Sequence, residues 1–78
     1  MKNIKHKIKK IISNIMEVEI KKIHDKTNLI TDLKIDSLDI IEIIMAIEEQ
    51  FNIEIPESEV EKFNTINFIT EYIQKNTK

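Results

Sequence analysis

Residues 32–42 read DLKIDSLDIIE, a short polar segment that runs into an acidic, isoleucine-rich stretch. Asp36 and Ser37 are residue types that favour the N-cap position of a helix. Asp39 follows in what would be the first turn, where a negative charge stabilises the positive end of the helix dipole. The segment therefore predicts that a helix begins at Asp36 or Ser37 and carries the serine at its N-terminus.

Isoleucines at helical spacing extend this pattern through the rest of the chain. The i, i+3/i+4, i+7 rule predicts three main helices, and Pro56 is expected to open one short helix or turn. The predicted spans are roughly residues 2–17, 36–52, 57–62 and 65–74. Residues 18–36 lack this helical spacing, which predicts a long loop there. Its apolar residues are expected to pin it to the core: Ile20, Ile23, Leu29, Ile30 and Leu33. The predicted fold class is all-α, a small four-helix bundle with a long loop between helices 1 and 2.

The composition limits the classes of function. Seventy-eight residues suffice for one small domain, taken here as residues 1–78, and the absence of cysteine excludes disulfides and thiolate metal sites. No apolar run reaches the ~18 residues of a membrane span, and no signal-type apolar stretch follows the lysine-rich N-terminus. We therefore expect a cytoplasmic monomer that does not insert into membranes.

The net charge of −2 conceals a strong asymmetry. Residues 1–34 contain nine lysines and four acids, whereas residues 35–61 contain nine acids and no basic residue. Such an acidic block would repel a nucleic acid, because the phosphates carry the same sign of charge. A protein with a basic surface is the predicted partner, since opposite potentials steer encounter and fix orientation.

The chemistry open to Ser37 is narrow. A hydrolytic serine needs a base within hydrogen-bond reach and a third group that orients this base. The chain has two histidines, His6 in the lysine-rich first helix and His24 in the loop, and it has no glycine for a nucleophile elbow. Two interpretations remain. Ser37 caps the helix, or it accepts a phosphate-linked group that the helix N-terminus would stabilise.

Further segments accompany this serine in a specific order. Residues 36–39 read DSLD, residues 45–51 read MAIEEQF, Ile55-Pro56 runs on to Glu61-Lys62, and Tyr72-Ile73 stands in the last helix. Together with the lysine-rich first helix and the long loop, these segments resemble the acyl carrier proteins of bacterial type II fatty-acid synthesis. The resemblance spans essentially the whole chain without a gap.

The resemblance implies a carrier rather than an enzyme. A phosphopantetheinyl transferase would join 4′-phosphopantetheine from coenzyme A to the Ser37 hydroxyl and so make a phosphoprotein. The thiol of this arm would hold growing acyl chains as thioesters between the enzymes of fatty-acid synthesis, which accounts for thiol chemistry in a cysteine-free chain. The alternatives are a carrier of another cargo (polyketide, aminoacyl or D-alanyl) and a cofactor-free acidic interaction module.

The resemblance also assigns a docking face around the serine. Its acidic positions would meet basic patches on partner enzymes, and a second apolar stripe at i, i+3 and i+7 would make shallow contacts beside them. The predicted docking residues are Asp36, Leu38, Asp39, Ile41, Glu42, Met45, Glu48, Glu49, Glu57 and Glu61. The alternative is that the acids form only a solvated face and the apolar residues belong to the core.

Two further expectations concern cargo and cations. Similar proteins shelter the acyl chain in a cavity between their helices. The residues that would line it here, or else simply form core, are Ile55, Val60, Phe63, Ile69 and Ile73. Acidic pairs such as Asp36/Asp39 offer oxygen ligands to calcium or magnesium, but no EF-hand spacing is present, so only adventitious binding and no metal site is predicted.

Two positions depart from the family pattern. Many carrier proteins place glycine two residues before the Asp-Ser pair and again after the first helix, where this chain has Lys34 and Glu17. Because glycine adopts backbone conformations that other residues resist, its loss is expected to stiffen or reshape the loop near the serine.

Overall fold

The computed structural model describes residues 4–76. This part of the chain contains four α-helices and one short 3₁₀ turn, at Ile20–Lys22, within the first long loop. The helices are α1 (Ile4–Met16), α2 (Ser37–Phe51), α3 (Glu57–Val60) and α4 (Ile66–Asn76). Over the same residues there is no β-strand, only an isolated bridge between Asn28 and Thr65. The predicted four-helix fold, with three main helices and one short one, is confirmed.

The helices meet through a core built almost entirely of isoleucine. Helix α1 contributes one buried stripe and packs against both α2 and α4. The buried isoleucines of the three main helices are Ile4, Ile8 and Ile12 of α1, Ile40, Ile43, Ile44 and Ile47 of α2, and Ile66, Ile69 and Ile73 of α4. Because the side chain of isoleucine is branched at Cβ and stiff at χ1, such a core loses little rotamer freedom on packing.

A cluster of three aromatic rings fills the space between the α3 segment and α4. The ring of Phe63 is 1% exposed and lies edge-on to two others, at centroid distances of 5.5 Å from Phe68 and 5.2 Å from Tyr72. Edge-to-face aromatic pairs each contribute roughly 0.5–1.5 kcal/mol beyond the burial of their area. Phe63 is therefore held firmly as the central ring of this cluster.

The long loop between α1 and α2 is tied to α4 by backbone hydrogen bonds. The Leu29 N–H donates to the Asn64 carbonyl at 2.7 Å, and the Asn67 N–H donates to the Asp25 carbonyl at 3.1 Å. Ile23 and Leu29 are buried, as predicted, and bring the loop into the core. Since its backbone is bonded to another segment and Ile23 and Leu29 are buried, the loop has a defined path up to α2.

Ile30 was predicted to pin this loop to the core, and that prediction is wrong because its side chain is 50% exposed. The cause lies in a local turn. The Asn28 side-chain oxygen accepts the N–H groups of Ile30 at 2.9 Å and Thr31 at 3.0 Å, which bends the backbone in the manner of an Asx-turn. Leu29 takes the inward position, so its neighbour faces outward.

Three non-glycine residues adopt left-handed backbone conformations. They are Glu17 (φ 57°), Lys34 (φ 55°) and Asn52 (φ 56°). Glu17 and Lys34 are the two positions where the resemblance leads one to expect glycine. The loop therefore keeps the left-handed conformations that glycine would favour. The Cβ atoms of Glu17 and Lys34 make these conformations sterically less favourable than they would be for glycine.

Replacing Lys34 by glycine is expected to raise the free energy of unfolding by about 0.5–1 kcal/mol. The left-handed conformation costs a non-glycine residue roughly 1–2 kcal/mol, and the greater unfolded-state entropy of glycine offsets part of the gain. Denaturant unfolding measures the change. Lys26→Gly is the control, because Lys26 is an exposed loop residue without a positive φ and should only lose stability. Destabilisation of both variants would contradict the interpretation.

The Asp25 carboxylate joins the loop to α1 and should make stability depend on pH. Its oxygens lie 2.9 Å from the Lys5 ammonium and 3.1 Å from the Lys9 ammonium, and these hydrogen bonds, that of Lys5 first, lower the pKa of Asp25 below 3.8. A carboxyl group whose pKa is lowered by folding stabilises the protein above its unfolded-state pKa. That contribution is lost as the pH falls through the folded-state value.

The variant Asp25→Asn should therefore be less stable than the wild type at neutral pH, by a small amount because the pair is partly exposed. The difference should disappear in acid, below the lowered pKa. Denaturant unfolding at the two pH values gives the measurement. Glu71→Gln serves as control, since Glu71 is exposed and forms no ion pair within residues 4–76. An Asp25→Asn deficit of the same size at both pH values would contradict the assignment.

Candidate functional site

Helix α2 begins with a reciprocal pair of hydrogen bonds, a capping box. The Asp36 carboxylate accepts the Asp39 N–H at 3.0 Å, and the Asp39 carboxylate accepts the Asp36 N–H at 3.4 Å. Asp36 is the N-cap, and its backbone is extended while that of Ser37 is already helical. The predicted start of the helix is confirmed, and Ser37 is its first residue.

The Ser37 side chain is exposed and, among the residues that the structure describes, makes no hydrogen bond. The interpretation of Ser37 as the helix cap is therefore wrong, because Asp36 holds that role. The N–H groups in the first turn of a helix have no intrahelical acceptor. Asp36 accepts only that of Asp39, which leaves the N–H groups of Ser37 and Leu38 beside the hydroxyl.

This environment fits a phosphodiester on Ser37. An anion at a helix N-terminus is stabilised by the unpaired N–H groups and by the positive end of the helix dipole. A hydrolytic role finds no support, since His6 and His24 are both exposed and neither forms a hydrogen bond with the serine. The hydroxyl is open to solvent, and within residues 4–76 no hydrogen-bond partner is present that would activate it.

An apolar pocket of about 460 Å³ opens directly beside Ser37. It lies between the N-terminal half of α2, the loop and α3. Its lining residues are Ile30, Ile35, Asp36, Ser37, Ile40, Ile41, Glu57, Val60, Glu61 and Asn64. Of the five residues expected to line a cargo cavity, Val60 lines this pocket, and Ile55 lines a separate groove along the C-terminal half of α2. The other three, Phe63, Ile69 and Ile73, are buried in the core.

The predicted second apolar stripe of α2 is exposed. Leu38, Ile41 and Met45 are 72%, 51% and 61% accessible, so the alternative that they belong to the core is wrong. Ile30 stands with them, since it is exposed and shares the serine pocket with Ile41. Sequence reasoning missed Ile30 as a site residue, although Asn28 two positions earlier is a turn-forming residue type that signals the change of direction.

The predicted acidic docking residues fall into two groups. Glu42, Glu49, Glu57 and Glu61 are exposed, and none of them has a hydrogen bond or ion pair within residues 4–76. Asp36, Asp39 and Glu48 also stabilise the fold, the first two in the capping box. The Glu48 carboxylate accepts the Ile55 N–H at 2.8 Å and so holds the end of the α2–α3 connection against α2.

The exposed acids without a partner border two depressions along α2. Glu57 and Glu61 line the serine pocket, whereas Glu42 and Glu49 border an open groove of about 890 Å³ along the C-terminal half of the helix. The floor of this groove is apolar and includes Ile15, Met45 and Ile53. Among residues 4–76 no cluster of three or more acidic, histidine or cysteine side chains could hold a metal ion.

The fold and the serine together define a class of site: an exposed hydroxyl at the N-terminus of one helix in a small helical bundle. The profile of the family described as "Phosphopantetheine attachment site" matches residues 6–73. The family takes its description from the phosphopantetheine that its members carry, and the exposed hydroxyl at the N-terminus of α2 is chemically suited to such a group.

Curated proteins of similar sequence identify the branch of this family. The acyl carrier protein of Buchnera aphidicola subsp. Schizaphis graminum is 47% identical over 78 residues, which cover 100% of this chain and 99% of that protein. The acyl carrier proteins of Buchnera aphidicola from Acyrthosiphon pisum (strain 5A) and from Baizongia pistaciae are 48% identical over 79 residues and 47% over 75. The chain belongs to the acyl carrier protein family.

Substituting Asp36 and Ser37 one at a time should show which of the two residues caps α2. Asp36→Ala is expected to lower the free energy of unfolding by about 1 kcal/mol, because it removes the cap. Ser37→Ala should change it by less than about 0.5 kcal/mol, since the hydroxyl has no internal partner and alanine favours helix. Denaturant unfolding of the unmodified proteins gives both values. A Ser37→Ala loss as large as that of Asp36→Ala would mean that the serine is structural.

Proposed function

We propose that this protein carries acyl chains as thioesters on a 4′-phosphopantetheine arm attached to Ser37, and passes them between the enzymes of fatty-acid synthesis. The observation that carries the proposal is the Ser37 hydroxyl, which is exposed on the first turn of α2 while Asp36 serves as the cap. Residues 1–78 would act as one carrier domain, monomeric and cytoplasmic. Within residues 4–76, no helix combines the length and apolar character needed to cross a membrane.

Attachment of the arm is a phosphoryl transfer from coenzyme A. The Ser37 oxygen attacks the pyrophosphate phosphorus nearer to pantetheine and forms a new P–O bond. The bond from this phosphorus to the bridging oxygen breaks, and adenosine 3′,5′-bisphosphate leaves. A base on the phosphopantetheinyl transferase takes the serine proton, because within residues 4–76 no side chain is hydrogen-bonded to the hydroxyl.

The chain itself contributes position and recognition. Bound phosphopantetheine supplies the thiol, which a cysteine-free protein lacks. The N–H groups of Ser37 and Leu38 stabilise the phosphodiester at the start of α2. The serine pocket offers apolar surface to whatever the arm carries. Catalysis belongs to the partner enzymes, and the protein is a substrate and carrier rather than an enzyme.

The docking face combines the exposed acids with the exposed apolar stripe. Glu42, Glu49, Glu57 and Glu61 would meet basic side chains of the transferase and the synthesis enzymes, and Leu38, Ile41 and Met45 would bury their apolar surface between them. Charges at the rim of such an interface mainly raise the association rate and fix orientation. Asp36, Asp39 and Glu48 add negative potential from positions that they already hold for structural reasons.

The alternatives have less support. A cofactor-free acidic interaction module does not account for the match to a phosphopantetheine attachment family over residues 6–73. Carriers of polyketide, aminoacyl or D-alanyl groups share the arm, but the similar curated proteins are named acyl carrier proteins. Fatty acyl cargo also agrees with the apolar lining of the pocket beside Ser37.

Incubation of the purified protein with coenzyme A and a phosphopantetheinyl transferase should add the mass of one phosphopantetheinyl group. Ser37→Ala should add none. Ser58→Ala is the matched control, because Ser58 is also exposed and also lies in the first turns of a helix, α3, yet should not affect modification. Intact-protein mass spectrometry gives the answer. Modification that persists in Ser37→Ala would exclude this serine as the attachment site.

Reversing the charge of the exposed acidic residues that have no ion-pair partner should weaken recognition by the transferase. Glu42→Lys and Glu49→Lys are each expected to lower the specificity constant for modification about tenfold at low salt, which corresponds to roughly 1.4 kcal/mol. The loss should shrink as salt increases, because exposed charges are screened beyond a Debye length of about 8–10 Å. Glu71→Lys on α4 provides the control for the same charge change elsewhere. Equal rates for all three variants would exclude the docking face.

A further inference from the structure

The acidic residues around Ser37 oppose an anion on its hydroxyl. Asp36 and Asp39 lie within two residues of the serine in sequence, and Glu57 and Glu61 line the pocket that it shares. No basic residue is among the described residues that line this pocket. The first-turn N–H groups of α2 favour a phosphodiester here, but these carboxylates repel it. A cation near the serine would offset part of this repulsion, because opposite charges a few ångströms apart attract even in water.

Lys34 is the basic residue closest to the serine in sequence, and the only one between positions 27 and 61. Its exposed side chain forms no hydrogen bond or ion pair within residues 4–76. The neighbouring acids already have backbone partners: the Asp32 carboxylate accepts the Asn28 N–H at 2.9 Å, and the Asp36 carboxylate accepts the Asp39 N–H at 3.0 Å. The ammonium group is therefore available to another anion.

The backbone is fixed on both sides of Lys34. The Asp32 N–H donates to the Asn28 carbonyl at 2.8 Å, and the Ile35 N–H donates to the Leu29 carbonyl at 3.1 Å. Lys34 itself has a left-handed conformation, with φ 55°. Ile35 is 4% exposed and lines the serine pocket. Lys34 therefore stands immediately before a wall of this pocket, on a backbone that is held in place, while its side chain extends into solvent.

The Lys34 side chain is long enough to reach a phosphate on Ser37. Three residues span at most ~11 Å from Cα to Cα, even in a fully extended chain. The lysine ammonium lies up to about 6 Å from its own Cα, and a phosphorus atom bound to the serine oxygen lies up to about 4 Å from the serine Cα. These lengths bring the ammonium to hydrogen-bond distance from the phosphate oxygens.

We propose that Lys34 is a positioning residue that binds the phosphodiester of the arm attached to Ser37. The inference rests on the proposed attachment at this serine. The ammonium group and the N–H groups of Ser37 and Leu38 hold the phosphate together, and the positive charge offsets the repulsion from the nearby carboxylates. Glycine, which the family pattern favours at position 34, could not make this contact. The start of the arm is thus held beside the loop, which leaves Glu57 and Glu61 to the partner enzymes.

The test is a thermodynamic cycle between the side chain at position 34 and the arm. The melting temperature is measured for the unmodified and the phosphopantetheinylated forms of the wild type and of Lys34→Gln, and any effect of the substitution on the fold alone cancels in the cycle. At low salt, modification should change the melting temperature less favourably in Lys34→Gln than in the wild type, by about 2–5 °C. This difference should shrink as salt increases, because exposed charges are screened.

Two further variants separate a specific contact from a general effect of charge. Lys34→Arg keeps the positive charge and should restore the wild-type response to modification. Lys26→Gln is the matched control, since Lys26 lies in the same loop, is exposed and forms no ion pair within residues 4–76, but is eleven residues from the serine. It should respond to modification as the wild type does. In the wild type, the side-chain NMR resonances of Lys34 should shift on modification, whereas those of Lys26 should not.

The outcomes distinguish this inference from the proposed function. Mass spectrometry of each sample shows first whether the arm is attached, and failure of Ser37 to accept it would overturn the proposed function and this inference with it. An attached arm with equal responses in Lys34→Gln and the wild type would overturn the role of Lys34 alone. The same deficit in Lys26→Gln, or in Lys34→Arg, would also overturn it, because the effect would then not depend on a cation at position 34.

Discussion

The capping box between Asp36 and Asp39 is the constraint from which the site follows. By ending the loop at Asp36 it makes Ser37 the first helical residue, and helical geometry then fixes the direction of every side chain on α2. Ile40, Ile43, Ile44 and Ile47 point into the core, while Leu38, Ile41 and Met45 point outward. A shift of the start by one residue would rotate the helix by about 100° relative to the loop and turn part of the isoleucine stripe out of the core.

The charged residues are distributed so that the acidic ones surround the serine. The acids with purely external roles lie along α2 and α3, and the lysines of the first half of the chain are partly neutralised by Asp25 and Glu19. The molecule therefore presents its negative side where the serine is, and a partner with a basic surface meets the modified end first. The same acids would keep the exposed apolar stripe of one copy away from that of another.

Periodicity was sufficient to predict the three main helices, because each has an unbroken isoleucine stripe on one face. The residue types of Asp36 and Asp39 were sufficient to predict where α2 begins, because both favour the first turn of a helix, whereas modification of Ser37 stays a prediction. Ile30 faces outward because the Asn28 side-chain oxygen accepts the Ile30 N–H. The pattern of hydrophobic residues does not predict this hydrogen bond. The second role of Glu48 arises from a backbone N–H seven positions later, a contact that only the folded chain creates. The glycine-like conformations of Glu17 and Lys34 reflect the surrounding fold overriding local preference.

The ties between the long loop and α4 have a consequence for biosynthesis. The loop reaches its final path only when the carbonyl of Asn64 and the N–H of Asn67 are in place to bond with it. A ribosome makes residues 64–76 after the loop and α2, so the native surroundings of Ser37 cannot exist while that later segment is still in the exit tunnel. If Ser37 is modified as proposed, an enzyme that recognises this folded surface would act only after α4 has been translated.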